Sequence, residues 1–330
     1  MKKALITGIN GQDGSYLAEL LLEKDYRVFG IVKRNSITES QFSRIDHIRH
    51  ETELFYADVT DLASLNRVIA NVRPDEIYNL AAQSHVRVSF DQPILTAQTT
   101  GIGALNVLEA VRLSQPKARV YQASSSEMFG NSVDPDGYQR ESTPFNPASP
   151  YACAKVFAYH ASRNYRNSYD MFVSNGILFN HESPRRGTNF VTNKICREAV
   201  RIKYGLADII SLGNLEARRD WGHAKDYVKA MWMILQQDAP DDFVCATGVT
   251  HSVRDVVDHV LTRLDIDWEG TVTIDERLKR PEEVLNLRGD YSKLREQAGW
   301  TPTYSFESML DEMVEFWLAE LKPAAKTEAA

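Results

Sequence analysis

Through the first half of the chain, short and almost unbroken apolar runs alternate with longer stretches whose apolar residues recur every three or four positions. The short runs are "KALITG" (3–8), "RVFGIV" (27–32), "ELFYADV" (53–59), "EIYNLAA" (76–82), "RVYQASS" (119–125) and "FVSNGILF" (172–179). Their length and near-continuous apolar character predict strands buried on both faces of a parallel sheet. Helical periodicity falls between them, through "SYLAELLLEKD", from about Leu62 to Val72, across "GALNVLEAVRLS" and along "YACAKVFAYHASRNYRNSY". Strand and helix in alternation predict an α/β fold with helices on both faces of the sheet. One polar stretch, "KRNSITESQFSRIDHI", interrupts the series.

Beyond Asn180 the pattern loosens. "SPRRGTNFVTNKICREAVRIKYG" predicts a loop leading into a helix, and "SLGNLEARRDWGHAKDYVKAMWMILQQ" contains one further long helix. "DDFVCATG" predicts a strand, and "SVRDVVDHVLTRL" a helix capped by Ser252. "SFESMLDEMVEFWLAELK" predicts a last helix, followed by a frayed tail, "PAAKTEAA".

Composition narrows the function. The chain has 330 residues, ample for one large core or two connected ones, and a net charge of −7, which argues against general binding of nucleic acid or anionic membrane. No apolar run is long enough to span a bilayer, and the N-terminus reads as a first strand rather than a leader. Cys153, Cys196 and Cys245 are widely spaced and lack zinc-type partners. Reduced thiols in a cytoplasmic protein without a metal are therefore expected.

The first strand and first helix are joined by "TGINGQDG". Gly8, Gly11 and Gly14, with Asn10, Gln12 and Asp13 between them, suit the close approach of a pyrophosphate to a helix N-terminus. This predicts a Rossmann-type, doubly wound parallel sheet binding a dinucleotide. Its domain would run over 1–180, with returning segments near 220–246, and a smaller, interleaved α/β substrate domain over 181–330 would complete a cleft. The second strand ends in Lys33 and Arg34 rather than in a carboxylate, followed by Asn35 and Ser36. Cations suit a 2′-phosphate, so NADP is the expected cofactor. Asp58 and Val59 end the third strand, where the adenine is expected. The small residues of Leu80, Ala81, Ala82, Gln83 and Ser84 let backbone pass close to the cofactor.

At the chemical end, "SSSEMFG" (124–130) closes the fifth strand and "SPYACAK" opens the following helix. Tyr151 and Lys155 lie four apart and share a helix face. A lysine beside a phenol lowers its pKa and equips the tyrosine for proton exchange with a substrate hydroxyl.

With TGxxGxxG, a strand-end hydroxyl and YxxxK, the chain resembles the extended short-chain dehydrogenase/reductase family. Through "YNLAAQSHV", "SSSEMFG", "GILFNHESPRRG", "FVTNK" and "RRDWGHAKDYVKAMW" it resembles the GDP-mannose 4,6-dehydratases within that family. The resemblance covers about residues 3 to 310. It implies that Tyr151, assisted by Ser125 and Lys155, removes the O4 proton of the sugar while NADP+ takes the C4 hydride. Glu127 then abstracts the C5 proton and expels the C6 hydroxyl as water, and the hydride returns to C6. His181 and Arg186 match positions around the cofactor. Asn180, Lys194, Arg219, Arg280 and Glu283 match positions that hold the GDP moiety, with Ser84 and Ser126 near the sugar. The loop from Lys33 resembles one that reaches a neighbouring subunit, implying a homotetramer or homodimer.

Two departures stand out. Ser125 replaces the family's common threonine, and Leu285 stands where the family often has an acidic residue. The second lies on the sugar-nucleotide side, which leaves dehydration of a related GDP-sugar, such as a GDP-manno-heptose, as an alternative. An NADPH-dependent reductase of GDP-4-keto-6-deoxymannose is another. A non-catalytic NADP sensor ranks low, because Ser125, Glu127, Tyr151 and Lys155 are all present.

Overall fold

A computed structural model describes residues 1–34 and 41–322. The expected positions Asn35 and Ser36, and the C-terminal tail from residue 323, lie outside the described residues.

Six strands arise where the apolar runs predicted them: β1 (Lys3–Thr7), β2 (Arg27–Val32), β3 (Thr52–Tyr56), β4 (Glu76–Asn79), β5 (Arg119–Ser125) and β6 (Val173–Leu178). With Asp242–Cys245 they form a parallel sheet in the order Asp242–Cys245, β6, β5, β4, β1, β2, β3. The order reverses beside β1, so the loops after β1 and β4 part there and open a crevice at the carboxyl ends of the strands. Helices pack both faces. Gln12–Glu23 and Ala224–Leu235 pack one face of the sheet (Leu17, Leu21, Met231, Ile234), while Leu62–Val72 and Gly103–Ser114 pack the other (Leu65, Val68, Val107, Leu108).

Two of the predicted strands end early for a visible reason. The run at 76–82 stops pairing at Asn79, because the Leu80 and Ala81 amides both donate to Thr7 Oγ1, at 3.1 Å each. Thr7 Oγ1 in turn donates to Asn79 Oδ1 (2.7 Å), and Asn79 Nδ2 donates to Gln122 Oε1 (2.8 Å). This buried polar chain ties β1, β4 and β5 together and draws the backbone of residues 80–81 against the first glycine turn. The run at 53–59 likewise ends at Tyr56, and Asp58 caps its own turn by accepting from the Thr60 amide and hydroxyl, both at 2.9 Å.

A second core gathers Ile195, Val200, Leu212, Trp221, Val256, Val260, Met309 and Met313. It joins the helices Val191–Lys203, Val253–Leu264 and Phe306–Glu320, all foreseen from their periodicity. Ser252 caps the middle one in a reciprocal box with Asp255 (3.0 and 2.8 Å). Short strands of two or three residues were not foreseen, because no periodicity can be read over so few positions. Asn180–Glu182 pairs with Trp221–His223, and Arg218–Arg219 lies between His251–Ser252 and Asn286–Leu287. Also unforeseen is the helical path Val86–Asp91, then, after a break at Gln92, Pro93–Thr96 and Ala97–Ile102 leading into Gly103–Ser114. Its apolar residues Ile94, Leu95 and Ile102 face outward, so the path shows no clean amphipathic stripe.

Candidate active site

A cavity of about 690 Å³ opens at the carboxyl ends of the sheet, between its loops and the second core. Its wall contains Gly8, Asn10, Gly11, Gln12, Asp13, Gly14, Asp58, Val59, Leu80, Ala81, Ala82 and Ser84. It also contains Ser125, Ser126, Glu127, Tyr151, Lys155, Asn180, His181, Arg186 and Arg280. Residues from nearly the whole chain thus converge on one crevice.

The glycine turn is shaped by close backbone packing. A Cβ on Gly14 would lie 2.3 Å from Gly8 O and 2.6 Å from Ile9 Cα, and Gly8 itself has φ +71°. Gly11 caps the helix Gln12–Glu23 without any side-chain partner, so the first-turn amides are left for an anion. Beside them His181 donates from Nδ1 to Phe179 O (2.7 Å) and from Nε2 to Asp13 Oδ2 (2.9 Å). Acceptors at both ring nitrogens require the imidazolium. Burial works against both charges, but their mutual attraction outweighs it: Asp13 falls to about 2 and His181 is raised. Gln12 extends this link, donating to His181 O and accepting from the Ser183 hydroxyl (3.2 and 2.8 Å).

"SSSEMFG" becomes the last residues of β5 followed by a single 3-10 turn, Ser126–Phe129. Ser125 Oγ accepts from the Glu127 amide (3.3 Å), and Gly130 ends the turn at φ +56°. A Cβ at Gly130 would stand 1.9 Å from Asn146 O, so only glycine fits. Ser149 then caps the helix Pro150–Tyr169, with proline in its first turn, and this places Tyr151 and Lys155 over the strand end.

The tyrosine shares the cavity wall with the Ser125 hydroxyl. Burial dominates its acidity and pushes the phenol up to about 12; the nearby Ser125 hydroxyl opposes this and the Glu127 charge adds to it. Burial thus outweighs the lowering expected from Lys155. Lys155 Nζ lies 5.8 Å from the tyrosine ring centroid and donates instead to Ala123 O at 2.6 Å. Burial pulls the ammonium itself down to about 8, with Asp13 opposing.

Glu127 is buried and engaged. Arg280 Nη1 lies 3.1 and 3.3 Å from its two oxygens, and Arg219 Nε 4.0 Å from Oε1. Burial favours the neutral carboxyl, but the charges of Arg280 and Arg219 outweigh it and hold Glu127 below the usual carboxylate range. Burial also pulls the Arg219 guanidinium down to about 10.

Several expected residues stand off the cavity wall. Arg34 is exposed, and Gln83 is folded back on His85 (2.6 Å). Lys194 donates to Ser211 O (2.6 Å), and Glu283 Oε1 accepts the Arg280 amide (2.9 Å). Arg219 reaches the site only through Glu127. Conversely, the wall includes Arg44, Arg185 and Trp221, which sequence reasoning did not single out. Arg44 donates to Arg185 O (2.8 Å), and the buried Trp221 indole N–H has no partner among the described residues. The repeated basic pair of "SPRRG" and the tryptophan next to Arg219 and Asp220 were the available signals.

Residues 5–313 match the family described as GDP-mannose 4,6 dehydratase. The chain is 52% identical over 326 residues to "GDP-mannose 4,6 dehydratase 2" of Arabidopsis thaliana, covering 95% of this chain and 86% of that protein. It is 49% identical over 365 residues to "GDP-mannose 4,6-dehydratase" of Yersinia enterocolitica, covering 100% of this chain and 97% of that one. Among solved structures it superposes on dTDP-glucose 4,6-dehydratase from Bacillus anthracis in complex with NAD, with TM-score 0.82 and 22% identity over 97% of each chain. The last likeness concerns the fold.

Proposed function

The chain belongs to the GDP-mannose 4,6-dehydratase family, and from that premise we propose that it converts GDP-α-D-mannose to GDP-4-dehydro-6-deoxy-α-D-mannose and water. The single observation that carries this reading is the carboxylate of Glu127, two residues beyond Ser125 and in the same cavity wall as Tyr151. Oxidation and reduction at C4 need only the hydroxyl pair; elimination across C5 and C6 needs a base as well.

A nicotinamide dinucleotide fits the residues present. The Gly8–Gly14 turn leaves no room for a Cβ at Gly14, the uncapped helix start suits its pyrophosphate, and Lys33 and Arg34 favour NADP over NAD. When bound, it supplies an acceptor that takes the C4 hydrogen with its electron pair and returns it to C6. The protein does the rest. Tyr151, in the same wall as Ser125, takes the O4 proton. Lys155, anchored on Ala123 O, fixes the cation that this side of the site needs. Once C4 is a ketone, the C5 hydrogen is acidic; Glu127 removes it and passes that proton to the departing C6 hydroxyl, which leaves as water. The proton Tyr151 took from O4 is available to return to C5 as the hydride adds to C6. Ser126, next to Glu127 in the wall, is the hydroxyl we assign to the leaving group. Arg219, Arg280 and Lys194, with Asn180 and Glu283, form the region we assign to the GDP moiety. The cofactor unit then comprises residues 1–180 with the returning segments near 220–246, and the remainder serves the sugar nucleotide.

A homodimer or homotetramer is also part of this reading. Ile94, Ile102 and Phe157 are exposed along the helical path 86–114 and the neighbouring helix Pro150–Tyr169, an apolar face of the kind a second subunit covers.

The test is to incubate the protein, carrying only its bound cofactor, with GDP-mannose and weigh the product. A product lighter by one water, without consumption of added reductant, is expected. Unchanged substrate at high protein concentration refutes the assignment, and stoichiometric use of NADPH on the 4-keto sugar would point to the reductase. Faster turnover of a GDP-manno-heptose would move the substrate to that sugar.

A further inference from the structure

The arrangement around Glu127 contains more than a base. A carboxylate that must take a carbon-bound proton is bound here by two guanidinium groups, and a depressed pKa makes it a weaker base. The two arginines are not equivalent. Arg219 is fixed: its side chain is 6% exposed, and Nη1 donates to Arg218 O (2.9 Å) and Val284 O (2.8 Å). Arg280 is 26% exposed and lies at the cavity wall beside Leu278. Among the described residues its guanidinium bonds only Glu127, while its backbone N–H is held by Glu283. One cation is thus built in, and the other is free to change partner by moving its side chain alone.

The local charge makes that exchange favourable. Arg219 and Arg280 face Glu127, and the Tyr151 phenol lies next to it; Glu283 acts on Arg219 from the other side, and Arg186 and Asp13 act on Tyr151. At Glu127 itself two cations face one carboxylate, and Arg219 has Glu283 as a further counter-charge, so Arg280 is the cation an incoming anion can draw away. A diphosphate carries twice the charge of Glu127 and presents several oxygens to the guanidinium fork.

We propose that Arg280 is a positioning residue for the base: it holds Glu127 until a nucleoside diphosphate enters the outer cavity, then transfers to the diphosphate and leaves Glu127 with Arg219 alone. This rests on the reading of the substrate as a GDP-sugar and deepens it. Glu127 becomes a stronger base only when the whole nucleotide sugar is in place. The same carboxylate would otherwise stay paired in a protein that carries cofactor alone. Binding the nucleotide, at a distance from C5, thereby prepares the step at C5. The charges of Arg280 and Arg219 that outweigh burial in setting the Glu127 carboxyl are consistent with this, since removing the nearer one leaves burial the stronger influence.

The experiment uses the cofactor-loaded protein with its glutamates 13C-labelled at the carboxyl carbon, the Glu127 signal being assigned by its loss in Glu127→Gln. Its titration is followed with and without saturating GDP, which supplies the diphosphate but has no sugar to react. GDP binding is measured separately by calorimetry. In the unmodified protein GDP is expected to raise the Glu127 midpoint by about one pH unit, a tenfold change in the protonation equilibrium. In Arg280→Met the midpoint is expected to be raised already and to ignore saturating GDP, and Arg280→Lys should fall between. If GDP binds and the Glu127 midpoint stays put or falls, the proposal is overturned; so it is if Arg280→Met titrates like the unmodified protein. Absence of GDP binding would instead remove the substrate reading on which it rests. A fold defect in Arg280→Met does not shelter the proposal, because the effect of GDP on the unmodified protein decides it alone.

Discussion

Replacing Glu127 by glutamine separates the two halves of the proposed reaction. The amide has the shape of the carboxylate but cannot take a proton, so elimination loses its base. Loss of a positioned general base typically costs 10²- to 10⁴-fold, or roughly 3–5.5 kcal/mol of barrier. The first half of the reaction should survive. The Glu127 charge raises the Tyr151 phenol, so its removal makes the tyrosine easier to ionise and does not obstruct oxidation at C4. Stability bears a cost too. Arg219 is left buried without the stronger of its two counter-charges, although it keeps Glu283 and the carbonyls of Arg218 and Val284, and Arg280 can turn to water. The expected loss is therefore about 3 kcal/mol, the lower end of what breaking a buried pair costs. Rapid mixing with GDP-mannose should show a burst of absorbance from bound reduced nicotinamide that persists, while mass spectrometry finds almost no dehydrated product. Water loss within tenfold of the unmodified protein would refute Glu127 as the base. Failure of both oxidation and dehydration in a folded variant would show that the carboxylate serves the first step instead.

Other consequences follow from the same geometry. Asp13 titrates at about 2, below its ordinary 3.8, so its contribution is present above the ordinary value and is lost as pH falls through the folded one. His181 is raised, so its contribution is complete below its ordinary 6.5 and is lost as pH rises through its folded value. Urea denaturation across pH should thus weaken at both ends, and Asp13→Asn should flatten both limbs while costing roughly 2 kcal/mol between them; unchanged limbs would show that the pair is not linked to folding. Gly130→Ala forces a Cβ to within 1.9 Å of Asn146 O at φ +56° and should destabilise by roughly 2–4 kcal/mol in urea midpoints, with a larger loss of dehydration. Lys33 already pairs with Asp58 at 2.9 Å, leaving Arg34 exposed. Arg34→Ala should therefore weaken NADP binding tenfold or more, the loss of a charge-assisted bond of about 1.5–3 kcal/mol, with little change for NAD; equal losses for both would remove the 2′-phosphate from that position.

What could be read from the chain divides along a physical line. Features encoded within one segment were legible. Apolar runs placed the sheet strands, and the helix Leu62–Val72 and the Ser252 cap appeared where their residues predicted. The glycines of "TGINGQDG" and the Tyr151–Lys155 spacing likewise needed only local geometry, a turn too tight for a Cβ and a shared helix face. The two-residue strands around Arg218–Arg219 were not legible, because their pairing partners lie some 30 to 70 residues away along the chain.

Electrostatics around the site was decided by tertiary structure alone. By itself, the sequence determined that a dinucleotide turn, a strand-end run of hydroxyls with one glutamate, and a helical tyrosine and lysine occur in the order an α/β fold requires. Folding decided how those groups are charged. It buried Tyr151 so that its phenol rose, sent Lys155 to Ala123 O, and set Glu127 between Arg219 and Arg280, 92 and 153 residues further along the chain. Spacing conveys which groups share a face. A charge responds to every neighbour within a few ångströms and to the loss of water, and neither exists until the chain has closed around it.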